Sequence, residues 1–381
     1  MKWRKLVMKI DEFINYFHEL KDPRIDRCKK HSLIDVIIIS VIAFICGAQC
    51  WEEVEDFGKA QKKWFKEFLE LTNGIPSKDT YARVFARLNP EEFQSSLLDC
   101  LAGVSQKAKD EIIAIDGKTL RRSHDRKRYQ HPLHLVSAWA ANNRITLGEV
   151  KTEGKGNELK GIEKILDIID IKGTTVTIDA LGCQKKIAKK VAEKQGKYIL
   201  AVKANQGGLH TKLINLFKKA KELNYEAMVF KENKTIDGDH GRIETRSYTV
   251  LPLMYGHEFK EHWQDLSAFV KVESIRAIGD RLKVESRYYI TSLSAKESEK
   301  ICSGIRKHWS IENSLHWCLD VALNEDQCRI RKGNAPENLG ILRRFTLSLL
   351  KSETTFKGGI RRKQRKALME REYLNLLLSK I

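Results

Sequence analysis

The sequence holds no CxxC pair, no internal repeat and no low-complexity segment, and no apolar run long enough to cross a bilayer. Each absence removes a class of protein. Eight cysteines at positions 28, 46, 50, 100, 183, 302, 318 and 328 are scattered over 381 residues, which suits reduced thiols of a cytoplasmic protein rather than a disulfide framework. The most apolar stretch, VIIISVIAFICGA at 36–48, falls short of the roughly 20 residues a membrane helix needs. It follows a charged stretch and starts too late for a signal peptide. A buried helix and no membrane partner are the expectation. Acidic charge is also in deficit: 50 Asp and Glu face 69 Lys and Arg, a formal charge of +19. Such an excess gathers around polyanions, so nucleic acid is the first partner class to consider.

What is present is an ordinary globular composition, 42% hydrophobic and 31% charged, in a chain long enough for roughly two or three structural units. Residues 1–105 read as helical: DEFINYFHEL and KKWFKEFLELT repeat apolar positions at helical spacing, and the turn NGIPS precedes DTYARVFARL. Ser77 is a candidate N-cap there. The helix carrying Lys78, Arg83 and Arg87 is either a helix-turn-helix reading head or one amphipathic member of a bundle. From 111 the pattern changes to strands at EIIAID, HLVSAWA and ITLGEV, a helix at NELKGIEKILDII, a strand at TTVTID, a lysine-coated helix at CQKKIAKKVAEKQ and a strand at YILAVK. The stretch 206–285 is less regular. It contains ETRSYTV, AFVKVES and the polar loop DGDHGR with His240 and Arg242, and leads to the strand RYYITSL. A helical pattern follows, then a basic run, KGGIRRKQRKA, whose default meaning is a solvated or DNA-facing tail.

Two acids occupy matched places. Asp116 and Asp179 each end an apolar strand before a turn containing glycine. Strand ends of an α/β sheet border its functional crevice, and a crossover connection can set the fourth strand parallel to the first. Two carboxylates side by side call for a cation, here a hard ion with oxygen ligands such as Mg²⁺ or Mn²⁺. An Asp opening a turn also commonly just caps local backbone, so both readings stand. The third candidate is Glu312 in RKHWSIENSLHWCLD, flanked at four-residue spacing by His308, His316 and Asp320. This is not the HExxH pattern of zinc proteases. The two histidines lie roughly 12 Å apart along an α-helix, too far to share one ion. Glu312 could join Asp116 and Asp179 as the third acid of a two-ion phosphodiester site.

The stretches AIDGKTLRRSHD, TIDALGCQKKIA, YILAVKANQG, DHGRIETR, RYYITSL, IRKHWSIENSLHWCLDVALNEDQCRIRKGN and GGIRRKQRKALMEREYL resemble the H-repeat-associated insertion-sequence transposases found beside Rhs elements in bacteria. The similarity runs from GAQCWEEVEDFG to the tail. It implies a DDE transposase with an α/β, ribonuclease H-like catalytic core interrupted by a mostly β insertion and preceded by an all-α domain. The implied division is 1–105, a helical domain with possible DNA binding; 106–205 and 286–350, the two parts of the core; 206–285, the insertion; and 351–381, the basic tail. The resemblance assigns Asp116, Asp179 and Glu312 as catalytic and metal ligands for two Mg²⁺ or Mn²⁺ ions, and a homodimer acting on terminal repeats and target DNA in the cytoplasm. The reaction implied is hydrolysis at element ends followed by attack of the freed 3′-hydroxyl on target DNA. The alternatives are a transposase-derived DNA-binding protein that no longer moves its element, or a nuclease without strand transfer. Candidate DNA contacts are Lys118, Arg121, Arg122, Lys203, Arg306, His308 and His316. Related insertion-sequence transposases carry Tyr, Arg and Lys seven before, four before and seven after the Glu; this sequence has Ile305, His308 and Leu319 there. His308, or Arg306 with Lys307, would then take the place of the Arg.

Overall fold

The computed structural model describes residues 10–102, 110–124, 131–223, 232–239, 242–255, 259, 262–278 and 281–381. They fall into two compact units, one drawn from 1–108, 117–158 and 312–381, the other from 109–116 and 159–311. After a helical stretch at 10–15, the helices are α1 (Leu33–Ile45), α2 (Trp51–Ala60), α3 (Lys62–Phe65), α4 (Lys78–Phe85), α5 (Pro90–Ala102), α6 (Glu158–Ile168), α7 (Lys185–Glu193), α8 (Gly207–Glu222), α9 (Ser298–His308), α10 (Trp317–Val321), α11 (Ala335–Ser352), α12 (Ile360–Met369) and α13 (Arg371–Leu378). The strands are β1 (Ile112–Thr119), β2 (His134–Ala140), β3 (Ile145–Thr152), β4 (Thr175–Ile178), β5 (Lys197–Val202), β6 (Glu232–Asp239), β7 (Arg242–Pro252), β8 (Ala268–Ile278) and β9 (Arg281–Thr291).

The first unit is built around α1. Ser32 caps it by accepting the Asp35 N–H at 2.9 Å, and nearly every residue of the helix is buried, as a helix apolar all round requires. No described helix is long and apolar enough to cross a membrane. Trp51 of α2 packs on Phe85 of α4 at 4.6 Å between rings. Leu339, Leu342 and Leu349 of α11 complete the same core, together with Ala367 of α12 and Leu374, Leu377 and Leu378 of α13. The expected basic tail is therefore a folded part of this unit. Its helical spacing of apolar residues buries one face, while Arg361, Arg362 and Arg365 stay outside. Ser77, the expected N-cap of α4, makes no capping bond with its side chain.

Strand order is β3-β2-β1 in the first unit and β1-β4-β5-β9-β8-β7-β6 in the second, β1 being common to both. The β2–β3 pair is antiparallel, turning at Arg144 with φ of 60°. In the second unit β1–β4 and β4–β5 are parallel, and β5 through β6 antiparallel. The segment after β5 differs from expectation: it opens with the 16-residue helix α8 before four long strands. Leu209, Leu213, Phe217 and Ala220 form its buried face, a helical stripe present in the sequence. His240 lies outside the described residues.

Candidate active site

Parallel pairing of β1 with β4 sets Ala114 opposite Thr177 and Ile115 opposite Ile178; Asp116 and Asp179 are the next residue on each segment. Since side chains alternate along a strand, Asp116 shares a face with Ile112 and Ala114, and Asp179 continues the face of Thr177. That is the face on which α9 lies. A Cβ added at Gly304 would stand 2.5 Å from Ile199 Cδ1 and 3.9 Å from both Ile112 Cδ1 and Thr177 Cγ2, so glycine is what allows α9 to sit this close.

The two acids differ in local structure. Asp179 follows the last residue of β4, and its Oδ1 accepts the N–H groups of Leu181 at 3.0 Å and Gly182 at 3.4 Å. It does cap its turn, as the simpler reading holds. Asp116, expected at a strand end, instead lies inside β1, which continues through Gly117, Lys118 and Thr119. Gly117 leaves no room for a side chain: an added Cβ would fall 2.6 Å from both Glu158 Cδ and His134 Nε2, a pair bonded to each other at 3.0 Å. Two residues at the end of YILAVKANQG hold the Asp179 turn. Asn205 Nδ2 donates to the Ala180 carbonyl at 2.7 Å and Gln206 Nε2 to that of Cys183 at 2.9 Å.

The motif around Glu312 is not one α-helix. Between α9 and α10 the chain makes a π-helical turn at Ile311–His316, so the expected stripe of four residues at i, i+4 spacing is broken. Such turns insert one residue into a helix and recur at functional sites. Glu312 is exposed within it. His308 ends α9 with its Nδ1 3.1 Å from the Thr177 hydroxyl. Burial, with Lys203 adding to it, pushes its pKa down to about 4 against a hydrogen bond the ring donates to the Thr177 backbone. A neutral imidazole turned to Thr177 cannot serve as the cationic phosphate grip expected of it. His316, also pushed down by burial and by the charges of Arg344 and Lys118, to about 3, is likewise uncharged at neutral pH. Ile305 and Leu319 are buried. Arg306 and Lys203 remain exposed.

Lys118 also departs from its expected place. It is 8% exposed, and its Nζ lies 2.7 Å from Asp320, 3.1 Å from Glu325 and 3.2 Å from Asp326. Three carboxylates, not a DNA phosphate, hold this ammonium. Glu325 in turn meets Arg344 Nη1 at 2.8 Å, and Arg344 Nε lies 2.5 Å from Glu149. Arg344 and Lys118 outweigh the cost of burial for Glu325 and hold its carboxyl down at about 2. Asp320, Glu325 and Asp326, the other acids near the motif, are thus committed to this cluster. Arg121 is 84% exposed at its rim, 3.2 Å from Asp326. Arg122 is exposed and gives its carbonyl to Arg331 Nε at 3.1 Å. Among the described residues, no group of three or more His, Cys, Asp or Glu side chains is gathered closely enough to hold a metal ion.

Comparison with known proteins identifies the class. Residues 107–349 match the family model described as the transposase DDE domain, and residues 14–100 match the one described as DDE_Tnp_1-associated. The chain belongs to the DDE transposase domain family, in its H repeat-associated group. It is 36% identical over 380 residues to YhhI of Escherichia coli (strain K12), provisionally named an H repeat-associated transposase, covering 98% of this chain and 99% of that one. YncI of Escherichia coli O157:H7, provisionally named a transposase, is 38% identical over 378 residues, covering 98% and 95%.

Proposed function

We propose that this protein cleaves DNA at the ends of an insertion sequence and transfers the freed 3′-hydroxyl to target DNA, using Asp116, Asp179 and Glu312 with two Mg²⁺ or Mn²⁺ ions. The observation that carries the reading is the parallel β1–β4 register, which ends at Ile115 opposite Ile178, with Asp116 and Asp179 the next residue on each segment. The strand order β3-β2-β1-β4-β5 suits a ribonuclease H-like core, with α8 and β6–β9 as the insertion. The donor set is all oxygen, half-buried at both aspartates and exposed at the glutamate, which suits a hard divalent ion and not zinc.

The ions, when bound, supply charge stabilisation for the attacking and leaving oxygens of an in-line displacement. The chain's own contribution is to hold the carboxylates. Asn205 and Gln206 fix the turn after Asp179, and the π-turn leaves Glu312 exposed. Exposed Arg121, Arg122, Lys203 and Arg306 are proposed as phosphate contacts, on DNA bound by a homodimer.

The test is Mn²⁺-dependent nicking of the element's own end DNA. Asp116→Asn, Asp179→Asn and Glu312→Gln should each lower cleavage by at least about a hundredfold while end binding persists. Full cleavage by any one of them would remove that residue from the site. A transposase-derived binding protein would bind the ends and never cut, whereas a nuclease would cut without joining.

A further inference from the structure

Within the first unit, α10 and the chain that leads into α12 border a cleft of about 540 Å³. Its walls carry Arg144, Lys351, Lys357, Arg361 and Arg362 together with Trp317. The indole of Trp317 is 60% exposed, and Val321, one turn further along the same short helix, is 43% exposed. The ring therefore presents an open aromatic face at the basic cleft. Among the described residues, Arg144, Lys357, Arg361 and Arg362 make no ion pair. Arg362 rests over the Phe356 ring at 5.3 Å. The acid in the wall, Glu353, does not neutralise them. Its oxygens accept the N–H of Thr355 at 2.6 Å and the hydroxyl of Tyr373 at 2.7 Å, and its charge faces Lys363 at 3.5 Å. Burial lowers the pKa of Lys351 against the hydrogen bond it makes with Cys318.

A positive groove with an open aromatic platform is the combination that grips single-stranded nucleic acid, phosphates by charge and bases by stacking. Duplex DNA, whose bases are already stacked, would leave Trp317 unused. We propose that this cleft binds an unpaired stretch of DNA, with a base stacked on Trp317 and neighbouring phosphates held by Arg144, Arg361 and Arg362. The proposal rests on the DNA-processing reading above. Because Trp317 lies five residues after Glu312, it places a strand-separated segment close in sequence to the third acid.

The experiment measures binding of a fluorescein-labelled oligothymidine, and of a duplex of the same length, to the full-length protein over a salt series. Trp317→Ala should weaken the single strand roughly 5- to 150-fold, the range for losing one stacked base, with a smaller loss for the duplex. Trp317→Phe should recover most of it. Arg361→Ala with Arg362→Ala should flatten the salt dependence by about 1.4 in log–log slope. Equal loss on both DNAs for Trp317→Ala, no loss, or no recovery in Trp317→Phe would each overturn the proposal. If the oligothymidine behaves as expected but wild type never cuts element ends, the catalytic reading falls and this surface stands. If wild type cuts element ends but Trp317→Ala binds the oligothymidine unchanged, this surface falls and the catalytic reading stands.

Discussion

Lys118 carries its charge to a position where only paired charge is tolerated. At 8% exposure, with three carboxylates within 3.2 Å, the ammonium keeps a raised pKa against the cost of its burial, chiefly through Glu325 and Asp320. Removing a buried partner leaves uncompensated charge behind. Lys118→Met should therefore destabilise the protein by about 3–5 kcal/mol, read from the midpoint of urea unfolding; an unchanged midpoint would show that the cluster is not held together by this lysine. The neighbouring glycine is sensitive for a steric reason. Gly117→Ala would drive a methyl into the His134–Glu158 pair and should cost about 1–3 kcal/mol, whereas Gly154→Ala meets nothing within 4 Å and is strained only by its φ of 93°.

At the scale of elements, the π-turn and the last two helices make the sharpest statements. Deleting Ser314 would let Ile311–His316 close into a regular α-helix. It would also change how Glu312, which lies inside the turn, is held, because the π-turn is what accommodates the extra residue. Cleavage should be lost although circular dichroism shows undiminished helix; retained cleavage would mean that the turn is incidental. The end of the chain is tied in by Glu353, wholly buried and with its carboxyl held at about 2: the hydrogen bonds of Thr355, Tyr373 and Phe356 outweigh the effect of burial. Glu353→Gln weakens those bonds and strands Lys363, so unfolding should be easier by about 2–4 kcal/mol. Limited proteolysis should then cut first between α11 and α12. Uniform digestion would contradict the role of Glu353 as a clasp.

For the whole molecule these groups set the acid limit of stability. His308 and His316 have pKa values lowered from 6.5 to about 4 and about 3, so the unfolded chain binds their protons first. Their contribution is complete above pH 6.5 and erodes as pH falls toward 3. Glu325 and Glu353, lowered from 4.5 to about 2, add a second loss below pH 4.5. Stability should thus fall in two stages on acidification, measured as melting temperature against pH. His308→Asn should remove part of the upper stage and leave the lower one; a single stage beginning below pH 4.5 in the wild-type protein would show that neither histidine is buried neutral.

Sequence alone determined a good deal. Period-two and helical apolar patterns gave β1–β5, α1, α6 and α7, because local burial preferences there agree with the final fold. Asp116 and Asp179 stood out as a pair because an apolar run leads into each, and Glu312 because of the motif that surrounds it. Helix α8 was not read from the sequence: the spacing of Leu209, Leu213 and Phe217 is present, but the polar residues between them masked it. What only tertiary structure decided is where charge goes. Whether Lys118, His308 or the basic tail faces solvent depends on carboxylates and hydroxyls from Thr177, Asp320, Glu325 and Glu353, which lie far away along the chain for Lys118 and His308. The energy of a charge is set by its neighbours in space and by loss of water. Neither is written in spacing along the sequence.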